Sequence, residues 1–144
     1  PADAAIAFPP PAHGPHAPVE QIRTGRLERR TGQDLIGGVT SYFTVGEGGV
    51  FGEGVLRFTD IDTTLDHGLV RTLTIPADDP LGARSIVEQS YEIGRPGWWI
   101  RIETRVALTA DETHFRLEGV LDAFENGVPV RRRTWDERIA RDHL

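Results

Sequence analysis

The stretch Ile100–Leu108, with the sequence IRIETRVAL, decides the fold class of this chain. Its apolar and polar side chains alternate with a period of two over nine residues, which is the pattern of a β-strand that buries one face. One face carries Ile100, Ile102, Thr104, Val106 and Leu108, and the other carries Arg101, Glu103 and Arg105. We therefore predict a long strand here, with its apolar face toward a hydrophobic core.

Turn signals on both sides of this stretch extend the pattern into an antiparallel meander. Upstream, the turn Gly94–Gly97 ends a strand marked by Val87, Tyr91 and Ile93. Downstream, Thr109–Thr113 is a polar turn. The strand after that turn continues the apolar face with Phe115, Leu117, Gly119, Leu121 and Ala123.

Asn126–Gly127 is the strongest hairpin signal in the chain, because a type I′ turn needs positive φ at both central residues. If these residues form the turn, the numbers of paired residues sum to 253. This register places Ala123 opposite Val130, Asp122 opposite Arg131, Arg116 opposite Glu137 and Trp135 opposite Glu118. Opposite charges then meet twice across the hairpin, which supports the predicted register.

The upstream half shows shorter strand patterns. We predict strands at Ile22–Arg30, Leu35–Val45, Val50–Phe58 and Leu69–Ile75, with Thr59–Asp66 as a loop or one helical turn. No stretch keeps helical periodicity over three turns. We therefore predict an all-β fold, an antiparallel meander of about seven or eight strands that forms a sandwich or a partly open barrel.

Length and proline content set the domain organisation. The 144 residues suit one domain. Residues 1–18 hold six of the ten prolines and are predicted to be an extended linker or arm, in which Ile6 and Phe8 could contact a neighbouring surface. We place a single β domain at residues 19–144. Because the chain has no methionine and begins with Pro1, we expect it to be the tail end of a longer protein.

Composition excludes several classes of function. With no cysteine, the chain has no disulfide, thiol nucleophile or cysteine-ligated metal. The net charge of −6 argues against a nucleic-acid partner, and no apolar run is long enough to cross a membrane. We therefore expect no cofactor, metal, nucleic-acid partner or membrane contact. Since no signal-like segment is present, we expect a cytoplasmic rather than a secreted protein.

Nucleophile and phosphate-loop motifs are missing from this sequence. None of Ser41, Ser85 and Ser90 lies in the Gly-x-Ser-x-Gly turn that exposes a hydrolase nucleophile. The glycine-rich stretch Gly46–Gly54 lacks the spacing of a dinucleotide loop, and its two glutamates would repel a phosphate. We interpret it as a glycine-rich hairpin loop with a bulge.

The five histidines offer weak candidates for chemistry. His13 and His16 lie in the arm without a third metal ligand, and Asp66–His67 and Asp142–His143 are sequence neighbours only. His114 follows Asp111 and Glu112 and could form an acid–base pair with either carboxylate. We favour the alternative, in which a polar turn ends in a partly exposed histidine.

Arginine and tryptophan side chains mark a candidate interface or pocket. In the basic run Arg131–Arg133, alternate side chains point to opposite faces, so at least one must share the apolar face. Such a charge needs a partner among Glu118, Asp122 and Asp136, or it lines a polar surface. Tryptophan can stack on arginine, and such surfaces often meet another domain. The candidate binding residues are Arg101, Arg105, His114, Arg131, Arg133 and Trp135.

From about Glu20 onward, several short stretches occur in an order and spacing similar to those of a known family. They are Arg23–Gly25, Asp78–Arg84, Trp99–Thr104, Leu108–Phe115, Leu121–Ala123 and Trp135–Asp142. The chain resembles the C-terminal β segment of the X-Pro dipeptidyl-peptidase/CocE–NonD hydrolase family. It departs from that pattern at Ala140, where a proline is expected.

The resemblance implies a parent protein whose α/β-hydrolase domain cleaves esters or amides with a Ser-His-Asp triad. Those motifs lie upstream in the family, so the resemblance assigns no catalytic residue to this chain. We therefore expect an accessory, non-catalytic domain that packs on the hydrolase catalytic domain or on an identical subunit. The alternatives are a stand-alone, lipocalin-like barrel that binds a small apolar ligand, and an enzyme that uses His114 with Asp111 or Glu112.

Overall fold

The computed structural model describes residues 14, 17–49 and 52–142. The predictions made for Ile6, Phe8, His13, His16 and His143 lie outside the described residues, as does most of the proline-rich arm. The first described strand begins at Val19.

Nine antiparallel strands and two short 3₁₀ helices make up the described chain, which confirms the all-β meander. The strands are β1 (Val19–Arg23), β2 (Arg26–Asp34), β3 (Val39–Glu47), β4 (Val55–Phe58), β5 (Thr63–Pro76), β6 (Arg84–Arg95), β7 (Trp98–Ala110), β8 (His114–Glu125) and β9 (Val128–Ala140). The 3₁₀ helices are Thr59–Ile61 and Pro80–Gly82.

The strands form one open sheet in which neighbours in sequence are mostly neighbours in space. β3 and β4 pair with successive parts of the same side of β5, and β2 and β1 pair with β3 and β4 in turn. The order then continues through β6, β7 and β8 to β9. The sheet is not closed into a barrel, and the described strands form one sheet and not the two packed sheets of a sandwich.

Pairing register gives the sheet two chemically different faces. One face is here called the apolar face. It holds the even-numbered residues of β3, β4 and β7 and the odd-numbered residues of β2, β5, β6 and β8. In β9 it holds the odd-numbered residues from Arg131 onward. The opposite face is here called the charged face. The alternation predicted for Ile100–Leu108 is confirmed, because Ile100, Ile102, Val106 and Leu108 all lie on the apolar face.

The hairpin at Asn126–Gly127 is confirmed, but its predicted register is wrong beyond the first two pairs. Both turn residues have positive φ, at 48° and 79°. Val130 is then an extra residue in β9, a β-bulge that raises the sum of paired residue numbers by one. The observed pairs are Ala123 with Arg131, Asp122 with Arg132, Arg116 with Arg138 and Gly119 with Trp135.

The strands predicted in the upstream half differ from the observed ones in their bounds and pairing. The Leu35–Val45 prediction begins too early, because the Asp34 carboxylate accepts the backbone N–H groups of Ile36 and Gly37 at 3.0 Å and closes a turn. The strand predicted at Ile22–Arg30 is interrupted between β1 and β2. The glycine-rich stretch is no hairpin loop, since the strands it joins, β3 and β4, both pair with β5.

A single-layer sheet buries few side chains completely. Among the described residues, the buried hydrophobic side chains are Val55, Leu69 and Ala107, with exposed fractions of 7%, 6% and 2%. A sheet with an apolar face normally covers that face with a second layer. In the described part of the chain no second layer lies on it, so the apolar face is open to a partner.

Candidate functional site

The structure divides the six candidate binding residues between the two faces of the sheet. Arg101 and Arg105 extend from the charged face of β7. Arg101 pairs with Glu103, and its guanidinium lies 4.3 Å from the centroid of the Phe124 ring. Arg105 Nε lies 3.3 Å from a carboxylate oxygen of Glu88. Both arginines are therefore neutralised within the sheet.

Arg131, Arg133 and Trp135 lie together on the apolar face of β9. The prediction that Trp135 stands opposite Glu118 on the charged face is wrong, because the Val130 bulge shifts it opposite Gly119. The guanidinium of Arg133 lies 4.8 Å from the Trp135 ring centroid, in a cation–π arrangement. The sheet thus places the predicted arginine–tryptophan stack on the face without a covering layer.

His114 begins β8 and is separated from the other five candidates. Its Nδ1 lies 2.8 Å from the Thr113 hydroxyl and 4.0 Å from Asp111 Oδ1. The Asp111 carboxylate accepts the backbone N–H groups of Thr113 and His114, and these hydrogen bonds lower its pKa. Asp111 therefore closes the turn between β7 and β8 as a carboxylate, in a geometry that fits the turn interpretation of this motif.

The ion pairs between strand residues of the described chain all lie on the charged face. Examples are Asp122–Arg132 at 3.4 Å and Arg116–Asp136 at 2.9 Å. Because Arg132 takes the charged face, the predicted partner Asp122 pairs with the middle arginine of the basic run. These pairs are solvent-exposed, so each contributes at most about 1 kcal/mol to folding.

A groove of about 440 Å³ crosses the charged face. Its carboxylates are Glu47, Glu88, Glu103 and Asp122. Three of the four form ion pairs: Glu88 with Arg105, Glu103 with Arg101 and Asp122 with Arg132. The groove is therefore largely neutralised internally. Within the described residues, no three histidine, aspartate or glutamate side chains are arranged to hold a metal ion.

The arginines of the apolar face are not neutralised in this way. Within the described strands they are Arg29, Arg71, Arg95, Arg131 and Arg133. None of them forms an ion pair with any described residue. Glu125 and Glu137 are the carboxylates of this face within the strands. The apolar face therefore combines exposed hydrocarbon with unpaired positive charge.

A second groove, of about 360 Å³, lies on the apolar face. Tyr42, Leu73, Leu108 and Phe115 line it, from β3, β5, β7 and β8. Leu73 and Leu108 are each 37% exposed, although both lie near the middle of the sheet. Exposed apolar surface of this kind marks a contact site for another molecule.

His67 is a candidate that the sequence interpretation named beside Asp66 and set aside. It lies in β5 between Leu65 and Leu69 on the apolar face, and only 4% of it is exposed. Neither ring nitrogen has a hydrogen-bond partner among the described residues. The available signal was the alternation Leu65, His67, Leu69, which places an imidazole among apolar residues.

The described residues contain no helix whose length and hydropathy would let it span a bilayer.

Comparison with known proteins identifies no relative, since the chain matches no family model, no curated protein and no solved structure.

Proposed function

We propose that this chain is an accessory, non-catalytic β domain that docks through its apolar face onto the catalytic domain of a serine hydrolase similar to X-Pro dipeptidyl-peptidases. One observation carries the docking part of the proposal: the apolar face of a one-layer sheet has no covering layer among the described residues. The resemblance in sequence supplies the identity of the partner.

The hydrophobic effect supports docking through this face. Large apolar side chains on it remain exposed: Leu73 and Leu108 by 37% each, Ile75 by 45% and Ile139 by 51%. Burying apolar surface contributes about 25 cal/mol per Å², and a specific interface covers about 800 Å² on each partner. A contact of that size on the apolar face would supply the missing layer.

Charge favours a hydrolase domain over a second copy as the occupant. The five arginines of the apolar face would meet the same five arginines if two copies packed face to face. Each copy would bring only Glu125 and Glu137 as carboxylates, so most of these guanidinium groups would be buried without a partner, which is costly. An apolar surface with carboxylates at its rim would pair with them, and we expect the hydrolase domain to present such a surface.

A specific observation also favours the second candidate, a small-ligand binder. The 360 Å³ groove at Tyr42, Leu73, Leu108 and Phe115 has an almost wholly apolar lining. A lipocalin-type site, however, encloses its ligand inside a closed barrel. In the described chain β9 pairs with β8 alone, so this groove stays open along one side. A protein surface fits an open groove better than a small apolar ligand does.

The test starts from the genomic reading frame that encodes this chain. The segment encoded upstream is expressed as a separate polypeptide, and its binding to the 144-residue chain is measured by calorimetry. We expect that segment to carry a Gly-x-Ser-x-Gly motif and to bind the chain. Leu73→Asp places a charge in the proposed interface and should weaken binding by about 100-fold, as expected for a buried contact.

Val70→Asp is the matched control for this experiment. Val70 lies three residues away on the same strand, is 40% exposed and faces the charged side. The Val70→Asp variant should bind the upstream segment as tightly as the wild type does. An upstream frame without a hydrolase, equal effects of the two variants, or a dimer of the chain that Leu73→Asp disrupts would each refute the proposal.

A further inference from the structure

The buried His67 has polar atoms that the described fold does not satisfy. The residue is 4% exposed, and within the described part of the chain neither Nδ1 nor Nε2 has a hydrogen-bond partner. Leaving a buried polar atom unpaired is destabilising. A buried ring with two unpaired nitrogens therefore suggests that something outside the described chain forms hydrogen bonds with it.

The surroundings of His67 form a small cavity that is lined by apolar side chains, by glycine backbone and by Glu53. Its ring stacks on Tyr91, its direct cross-strand neighbour, with centroids 4.0 Å apart and 19° between the planes. Leu56 and Leu65 line the same cavity, which has a volume of about 180 Å³. The backbone N–H of Gly49 donates to the His67 carbonyl at 2.9 Å and holds one wall in place.

The imidazole is neutral in this setting. Burial lowers the pKa of His67, and the nearby carboxylates of Glu53 and Asp66 oppose that effect only in part. A neutral imidazole has one N–H donor and one nitrogen acceptor. A ligand group that both donates and accepts, such as a hydroxyl or a primary amide, matches whichever nitrogen faces the cavity.

We propose that the cavity beside His67 binds a small neutral molecule that carries a hydroxyl or primary amide group on an apolar body. Glu53, which lines the cavity, disfavours an anionic ligand. The cavity volume limits the size of the ligand. An apolar cavity of about 150 Å³ admits benzene, so a molecule the size of phenol fits this one. His67 lies on the apolar face, the face proposed to dock, so the site is tested in the isolated chain, where its outcome is separate from that of the docking test.

Phenol, toluene and benzoate form a matched set of probes for this site. The ring-nitrogen resonances of His67 are followed by ¹⁵N NMR in the full 144-residue chain and assigned through contacts to the Tyr91 ring. We expect phenol to shift them with saturation, and toluene, which has no hydrogen-bonding group, to bind about tenfold more weakly. Benzoate should not bind.

His67→Phe keeps the stacking ring and removes both nitrogens, so it should lose the preference for phenol over toluene. His67→Gln keeps a donor and an acceptor and should retain it. His114→Phe, at the distant turn, should behave as the wild type. Equal shifts with phenol and toluene, or no shift of His67 with any probe, would overturn the proposal, and this wild-type comparison holds whether or not the variants fold.

Discussion

At the scale of single residues, two glycines make room for tryptophans on neighbouring strands. Gly94 of β6 stands directly opposite Trp99 of β7, and Gly119 of β8 stands opposite Trp135 of β9. A Cβ atom at Gly94 would overlap the Trp99 ring, and one at Gly119 would lie 3.1 Å from Trp135 Cε3. Each indole therefore lies across its glycine, and the pair acts as one packing unit.

Gly94→Ala tests this packing. The added methyl group must displace the Trp99 ring, so we expect a loss of about 1–3 kcal/mol in the free energy of unfolding, as for other overpacked sites. Urea denaturation followed by tryptophan fluorescence measures it. Gly32→Ala is the control, because its Cβ would meet Phe43 at an ordinary 3.6 Å. Equal stability of the two variants would contradict the packing assigned to Trp99.

At the scale of elements, the Val130 bulge decides what the hairpin β8–β9 presents on each face. Without the bulge, Trp135 would stand among the charged residues and Arg132 would lie on the apolar face. With it, Asp122 and Arg132 form an ion pair, and Trp135 joins Arg131 and Arg133 on the apolar face. One extra residue therefore changes the face of every later side chain in β9.

Deleting Val130 should be tolerated. The deletion joins Pro129 to Arg131, so Phe124 keeps its partner Pro129, Ala123 keeps Arg131, and later side chains keep their faces. We expect the free energy of unfolding to change by about 1 kcal/mol or less.

Deletion of Thr134, four residues further on, is the matched control for the bulge. This deletion moves the β9 side chains on one side of position 134 to the opposite face of the sheet. We expect the free energy of unfolding to fall by about 3 kcal/mol or more. Thermal unfolding of both variants measures the difference. If deleting Val130 is as damaging as deleting Thr134, the bulge does not set the register in the way described.

At the scale of the whole molecule, one face of the sheet is neutralised and the other is unsatisfied. Most arginines of the charged face pair with neighbouring carboxylates, whereas the described strands place five arginines without ion pairs on the apolar face. The net charge of −6 therefore does not describe the surface that a partner would meet. That surface is apolar and locally positive, which suits a partner with carboxylates.

The isolated chain should bind the hydrophobic dye ANS on its apolar face. Replacing Leu73 by Asp puts a charge into the apolar groove, and we expect the dye fluorescence to fall by about half. Val70→Asp alters an equally exposed residue on the charged face and should leave the signal unchanged. A similar fall in both variants would show that the dye does not bind the apolar face.

The sequence predicted the parts of the fold that depend on neighbouring residues. The alternation in Ile100–Leu108 predicted the two faces of β7, and Asn126–Gly127 predicted the tight turn, since both signals are local. The glycine-rich stretch was misinterpreted because the pairing of both β3 and β4 with β5 is not visible from local composition. His67 was set aside for the same reason, since its burial depends on residues brought to it from β4 and β6.

The sequence by itself thus determined the all-β class, the meander and the alternation of its strands, because strand periodicity and turn chemistry act over a few residues. Only the tertiary structure decided the bulge at Val130, the face of Trp135, the burial of His67 and the single layer of the sheet. These features depend on register and on the absence of a covering layer among the described residues. Both are set by contacts between strands far apart in sequence.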